Sequence, residues 1–233
     1  MPVSAPFNPS AANLSDVDQT TQGAGKVLTE TTSAGKPFSW QTPSAGGLYS
    51  GIITKPTLSQ FTWVNQGIVT GADSSVGIYV TSANNTSNNA IAMLTQTPPA
   101  TPYTYTALVS SASRSGVGTG GIALYDGTKV EFLDIYYDQS ALIMRCNVDQ
   151  YTNVTTFSAG ATSQQIIPTN LLWLRVTNDG ANLKFLYGTD GVNFNQIYSE
   201  AVGSFITPTK VAFAVNAYNV SFLAFTLMSW LQT

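Results

Sequence analysis

The sequence predicts an all-β protein: a two-sheet antiparallel sandwich over residues 46–233, preceded by an extended N-terminal arm over residues 1–45. Three observations carry this. From about Phe38 onward the chain runs in short stretches of β-branched and aromatic residues, broken by Gly, Asn, Asp and Pro at intervals of roughly 8 to 15 residues. No stretch sustains the 3.6-residue apolar period of a helix. Three Asp-Gly pairs, Asp126-Gly127, Asp179-Gly180 and Asp190-Gly191, each sit between strand-like runs, where glycine supplies the positive φ of a tight hairpin turn.

The arm comes first. Its residues are mostly Ser, Thr, Ala, Gly, Gln and Pro, which offer little surface to bury and so little reason to fold alone. It holds a near-repeat, Gly23-Ala24-Gly25-Lys26 and Ser33-Ala34-Gly35-Lys36. A phosphate-loop reading of these Gly-Lys pairs fails, because Val27 and Pro37 stand where a hydroxyl should bind magnesium. Beyond the arm the predicted strands are 62–69, 77–81, 90–95, 103–110, 120–125, 130–137, 141–148, 155–159, 171–177, 182–188, 196–201, 210–217 and 222–230. So many short strands are too many for one flat sheet, and two stacked sheets are the expected packing.

Composition narrows the function. Only 9 residues are Lys or Arg and 12 are Asp or Glu, and charged residues are 9% of the chain against about 25% in an ordinary domain. Ser, Thr and Asn together make up 69 of the 233 residues, so the surface is polar but uncharged. With no histidine, Ser-His-Asp and Cys-His nucleophiles and His-ligated metal sites are excluded. A formal net charge of −3 without a basic cluster argues against nucleic acid as a partner. No apolar run is long enough for a membrane span, and residues 1–7 lack the features of a secretion signal. The single cysteine, Cys146, alternates with Leu142 and Met144 and reads as a buried core thiol.

The stretch from Tyr103 to the C-terminus carries a recognisable order of segments: Tyr103 to Val109, Gly120-Gly121-Ile122-Ala123-Leu124-Tyr125-Asp126-Gly127, Val130 to Tyr137 and Ala141 to Cys146. Leu172-Trp173-Leu174-Arg175-Val176, then Phe185 to Phe194, then Lys210 to Val215 complete it. This order resembles the concanavalin A-like (laminin-G-like) jelly-roll sandwich, in the version appended to family 43 glycosidases. The resemblance implies a jelly roll and a carbohydrate-directed surface; the fold itself hosts lectins, binding modules, glycosidases and spacers. A charge-poor arm joined to such a sandwich is similar to virion proteins of tailed bacteriophages, which attach to the particle by their N-terminal segment.

Catalysis has one lead, the run Glu131-Phe132-Leu133-Asp134-Ile135-Tyr136-Tyr137-Asp138. On a strand Asp134 and Asp138 share a face and Glu131 takes the other. Positions i and i+4 lie roughly 13 Å apart at Cα, too far for a glycosidase carboxyl pair. The expectation is therefore a protein that is not an enzyme. Calcium is the minority alternative to no cofactor, with loop acids Asp73, Asp126, Asp149, Asp179 and Asp190 as the available ligands. Sugar binding needs aromatic faces and planar polar groups, and strand parity sets Trp173 and Arg175 opposite Leu172, Leu174 and Val176. The same parity groups Arg145, Asp134 with Tyr136, and Asn216 with Tyr218. If these strands are neighbours, Asp134, Tyr136, Arg145, Trp173, Arg175, Asn216 and Tyr218 form one candidate glycan patch.

The expected protein is thus a non-enzymatic virion component, a head decoration or tail-associated part, made in the host cytoplasm. Residues 1–45 would contact other virion proteins, and the sandwich a host-surface glycan. A carbohydrate-active enzyme or its binding module is the alternative. The last strand predicts self-association: Phe222, Met228 and Trp230 alternate with Leu223, Phe225, Leu227 and Leu231, giving two apolar faces, of which a homo-oligomer could cover one.

Overall fold

The structure, a computed structural model, describes residues 53–83, 88–113, 117–220 and 222–233, together with the backbone of three short N-terminal strands. The chain divides into two units, Met1–Gly51 and Ile52–Thr233. In the first, Val17–Asp18 (β1) pairs parallel with Phe38–Gln41 (β3), and Val27–Glu30 (β2) pairs antiparallel with β3. The rest of the expected extended arm lies outside the described residues.

The second unit is the two-sheet antiparallel jelly-roll sandwich that the sequence predicts. Its strands are β4 (Thr62–Val64), β5 (Val69–Ser74), β6 (Gly77–Ser82), β7 (Ile91–Gln96), β8 (Tyr103–Ser111), β9 (Thr119–Tyr125), β10 (Val130–Asp138), β11 (Ile143–Asn153), β12 (Thr156–Gly160), β13 (Gln165–Ile167), β14 (Leu171–Asn178), β15 (Asn182–Gly188), β16 (Asn195–Ala201), β17 (Lys210–Asn216) and β18 (Leu223–Gln232). One sheet runs β12-β11-β10-β9-β17-β7-β4 with β13 also on β11, and the other β16-β15-β14-β8-β18-β6-β5. No helix among the described residues is long and apolar enough to cross a membrane.

Side chains alternate across each strand, so one parity of every strand meets the other sheet. Leu133 and Ile135 of β10, Ile122 and Leu124 of β9 and Phe213 of β17 pack in one buried cluster with Leu174 and Val176 of β14, Tyr105 of β8 and Phe225 of β18. Each large apolar side chain so buried contributes about 1.5–3 kcal/mol. Cys146 is a free, buried thiol in this layer.

All three Asp-Gly pairs close hairpins, joining β9 to β10, β14 to β15 and β15 to β16. Gly127, Gly180 and Gly191 have φ of 108°, 91° and 75°. In each turn the aspartate Oδ1 accepts two backbone N–H groups, from Thr128 and Lys129, Ala181 and Asn182, and Val192 and Asn193.

Two expectations change. The run 62–69 is not one strand, because Asn65 and Gly67 take positive φ and turn the chain from β4, in one sheet, to β5, in the other. The last strand does not carry two apolar faces. Its pairing with β8 slips at Met228, between Leu227 and Ser229, and this bulge turns Trp230 onto the same face as Leu223, Phe225 and Leu227. Trp230 packs against Tyr105 and Phe61, with ring centroids 5.3 and 5.5 Å away, and its indole N–H donates to Gln96 Oε1 at 2.9 Å. The face holding Leu223, Phe225, Leu227 and Trp230 is thus covered within the chain, while Phe222 is exposed and Met228 and Leu231 are half-buried.

Candidate functional site

The outer face of the β7-bearing sheet is built from the parity of β10 that does not enter the core. Across the sheet the register aligns Arg145, Tyr136, Thr119 and Asn216 in one row, from β11, β10, β9 and β17. The next row holds Asn147, Asp134, Gly121 and Ala214, and the one after it Asp149, Phe132, Ala123 and Ala212.

This face is partly roofed by the β11–β12 hairpin. At its tip the carbonyl of Val154 accepts the N–H of Ile91 at 2.9 Å, so the hairpin curls back over β7. Val154 then packs on a second apolar cluster of Ile91, Met93, Ala123, Phe132, Ala212 and Ala214. Tyr151 stands edge-on to Phe157, centroids 5.4 Å apart. Beside this roof opens a cavity of about 260 Å³ lined by Asn89, Val117, Thr119, Asp149, Tyr151, Phe157, Asn216 and Tyr218. Asn216 is held rigidly: its Nδ2 donates to Asn89 Oδ1 at 2.8 Å and to the Tyr151 hydroxyl at 3.2 Å, and its Oδ1 accepts the Ala90 N–H at 3.0 Å.

On the other side of Val117 a second cavity, of about 330 Å³, is lined by Tyr136, Tyr137, Asp138, Gln139, Ser140, Gln164 and Asn219. Asp138 takes the Arg145 guanidinium at 2.7 Å and the N–H groups of Ser140 and Ala141, which hold its carboxyl below the usual range. Burial pushes the Tyr136 hydroxyl up to about 12, partly offset by Arg145. A larger cavity of about 550 Å³, between Leu142, Met144 and Ile166 to Asn170, has no charged side chain in its wall.

On the same sheet face, one row from Thr119 and Asn216, lies a buried carboxyl. Asp134 is wholly buried, and neither carboxyl oxygen has a hydrogen-bond partner; Thr119 lies close enough to ease its pKa downward without meeting hydrogen-bond geometry. Desolvation first, and the Asp149 carboxylate second, hold Asp134 well above the ordinary range. Asp149, also desolvated, rises to about 6 despite help from Asn147. Thr119 Oγ1 and Asn147 Oδ1 are likewise buried without partners. On the core side of β10, burial raises Glu131 to about 8; Gln150 donates to it at 2.9 Å and the nearby Glu200 carboxyl pushes it further up.

Of the seven residues in the expected patch, Asp134, Tyr136, Arg145 and Asn216 share this face, and Tyr218 lines its cavity. Trp173 and Arg175 do not join them. Their strand, β14, belongs to the other sheet and pairs with β8 and β15, so they lie on the opposite side of the sandwich. Trp173 is buried there; Arg175 Nε donates to Thr106 Oγ1 at 3.0 Å and its guanidinium stacks 3.6 Å from the Phe194 ring centroid. Asp149 and Tyr151, absent from the expected patch, share the parity of Arg145 and Asn147 and could have been read from it. Asn89, Val117 and Phe157 could not, since only the fold brings those segments to the cavity.

No family model matches the chain, and no curated protein sequence matches it. Solved structures do share its fold. A functionally unknown protein from Saccharomyces cerevisiae is similar at a TM-score of 0.56 and 14% identity, over 76% of this chain and 97% of that one. The CBM2 module of the evolved Dit of Lactobacillus casei BL23 phage J-1 is similar at 0.50 and 14%, over 91% of both chains. An engineered GH43 glycoside hydrolase is similar at 0.57 and 12%, over 88% of this chain but 48% of that one, so the chain spans about half of that enzyme.

Proposed function

We propose that this chain is a non-enzymatic glycan-binding component of a virion, which holds a sugar in the groove on either side of Val117. The observation that carries the reading is the make-up of the first cavity: aromatic rings of Tyr151, Phe157 and Tyr218 beside the amides of Asn89 and Asn216 and the Asp149 carboxylate. Aromatic rings take the apolar face of a pyranose, and fixed planar amides and a carboxylate take its hydroxyls. Asn216 is already ordered by three hydrogen bonds, so binding adds little ordering cost there. The virion part rests on the likeness to the phage Dit module and on the charge-poor N-terminal residues 1–45, which in this reading contact other virion proteins.

The experiment is a glycan array followed by calorimetry on the best hit. Tyr151→Ala and Asn216→Ala each weaken binding by about tenfold or more, the loss of about 1.4 kcal/mol, while Arg175→Ala, on the opposite face, leaves it unchanged. Binding that depends on Arg175 and not on Tyr151 overturns the site. The enzymatic alternative draws on the GH43 likeness; polysaccharide hydrolysis that disappears in Asp134→Asn favours it. The virion role is tested by the copy number of the protein in purified particles.

A further inference from the structure

The wall of the first cavity combines aromatic rings with one acid and no base. Phe157 and Tyr218 are exposed rings in that wall. Tyr151 stands edge-on to Phe157, with the ring planes 79° apart, so the pair forms a corner of π surface. The face of an aromatic ring is the negative end of its quadrupole and draws a cation more strongly than a neutral group. Asp149 lines the same cavity, two residues before Tyr151 on β11 and therefore on the same face. Among the described residues of the wall there is no Lys or Arg, and Arg145, on the same sheet face, is already taken by Asp138 at 2.7 Å. The Asn147 amide supports the Asp149 carboxylate but brings no charge to balance it. We propose that this cavity takes an amino sugar whose nitrogen is a free ammonium, with Asp149 as its counter-ion and the rings of Phe157, Tyr151 and Tyr218 around it.

The charge count fits one ammonium. Asp134, on the neighbouring strand, adds no second charge, because burial holds it well above the ordinary range and so in its protonated form, with Thr119 beside it. Asp149 rises only to about 6, so it is ionised near neutral pH, and an ammonium in the cavity favours that ionised form further. A sugar bearing a carboxylate or a phosphate would meet Asp149 as a like charge with no base in the wall to offset it. An N-acetylated sugar would cover Asp149 without pairing it, which penalises binding. The amides of Asn89 and Asn216, joined at 2.8 Å, remain for the sugar hydroxyls.

This inference rests on the glycan reading and names its substrate class, and a matched pair of probes lets the two fail separately. The full chain is titrated by calorimetry, in a buffer at about pH 6.5 where a sugar amine is largely protonated, with a glucosamine tetramer and with the N-acetylglucosamine tetramer of the same linkage. Choline chloride supplies an ammonium without a sugar. Expected is a preference of about tenfold or more for the glucosamine tetramer, with choline weaker than either the tetramer's affinity or its specificity would require of the true ligand. Asp149→Asn abolishes that preference, and Phe157→Ala, a change at an exposed ring, weakens binding of the glucosamine tetramer. Circular dichroism establishes that both variants are folded, and the comparison of the two tetramers on the wild type needs neither of them. Equal or tighter binding of the N-acetylated tetramer, no binding of the glucosamine tetramer, or a preference that survives in folded Asp149→Asn overturns the proposal. Choline binding as tight as the tetramer overturns the sugar as the source of the ammonium. A neutral glycan whose binding depends on Tyr151 and Asn216 overturns the ammonium inference while leaving the glycan reading in place.

Discussion

At the scale of single residues the buried acids set the pH response. Glu131 rises from 4.5 to about 8, and Asp134 and Asp149 rise as well. For a carboxyl whose folded pKa exceeds its unfolded one, the folded state holds the extra proton between the two values. Its stabilising share is complete below the unfolded pKa, near 4 to 4.5, and is lost as pH climbs through the folded pKa, about 8 for Glu131. Asp138, Asp179 and Asp190 move the other way, lowered by hydrogen bonds from Arg145, Lys184 and Asn193, and lose their share as pH falls into the acid range. Stability therefore peaks in mildly acidic buffer and declines toward alkaline pH. Glu131→Gln flattens that decline by on the order of a few kcal/mol, read from urea unfolding across the range; an unchanged slope contradicts the assignment. Burial also raises the Cys146 thiol. It should ignore a thiol reagent in native buffer and react fully in denaturant, and fast native labelling would show an open core.

Strands and turns obey different constraints, and two glycines separate them. Gly127 has φ of 108° and no atom within 4 Å of the place a Cβ would take, so Gly127→Ala meets only backbone strain, about 1–2 kcal/mol. Gly120 sits mid-strand in β9, where a Cβ would lie 2.5 Å from the Phe225 ring, in the packed space between the sheets. Gly120→Ala must displace that ring and is expected to cost more, about 1–3 kcal/mol or above. Chemical unfolding of both variants checks the order, and a reversed ranking would show that the inter-sheet layer yields more easily than a turn. The β11–β12 hairpin is the element that makes the site, since its curl over β7 turns an open sheet face into a walled groove.

For the whole molecule, the sandwich is held by side chains that span both sheets. Trp230 reaches Tyr105 in its own sheet and Gln96 in the other. Trp230→Ala should lower stability by about 3–5 kcal/mol, measured by chemical unfolding, with no dependence on protein concentration if the ring serves the core alone. Concentration-dependent stability would instead reveal a partner copy at this strand. Removal of residues 1–40 is expected to leave a folded β-sandwich, checked by circular dichroism, and under the proposed virion role it abolishes incorporation into particles. Retained incorporation defeats the attachment role.

Most strand positions, the three Asp-Gly hairpins and the core parity of Met144, Cys146, Leu172, Leu174 and Val176 were legible in the sequence by itself, whereas the run 62–69 divides into β4 and β5, β13 was not anticipated, and Leu142, expected to alternate with Cys146 in the same set, is exposed at a positive φ. They depend on local periodicity and turn chemistry, which act within a few residues. Which strands adjoin was decided only by the tertiary structure. Nothing local says that β14 lies in one sheet and β10 in the other, so the expected patch divided, with Trp173 and Arg175 on one side and Asp134, Tyr136, Arg145, Asn216 and Tyr218 on the other. The bulge at Met228 shifts parity by one residue, which no alternation rule anticipates, and the rings it sets Trp230 against, Phe61 and Tyr105, are far away in sequence. The buried Asp134 has the same origin: a polar residue at an outward strand position reads as solvated, and its full burial is decided by the tertiary fold.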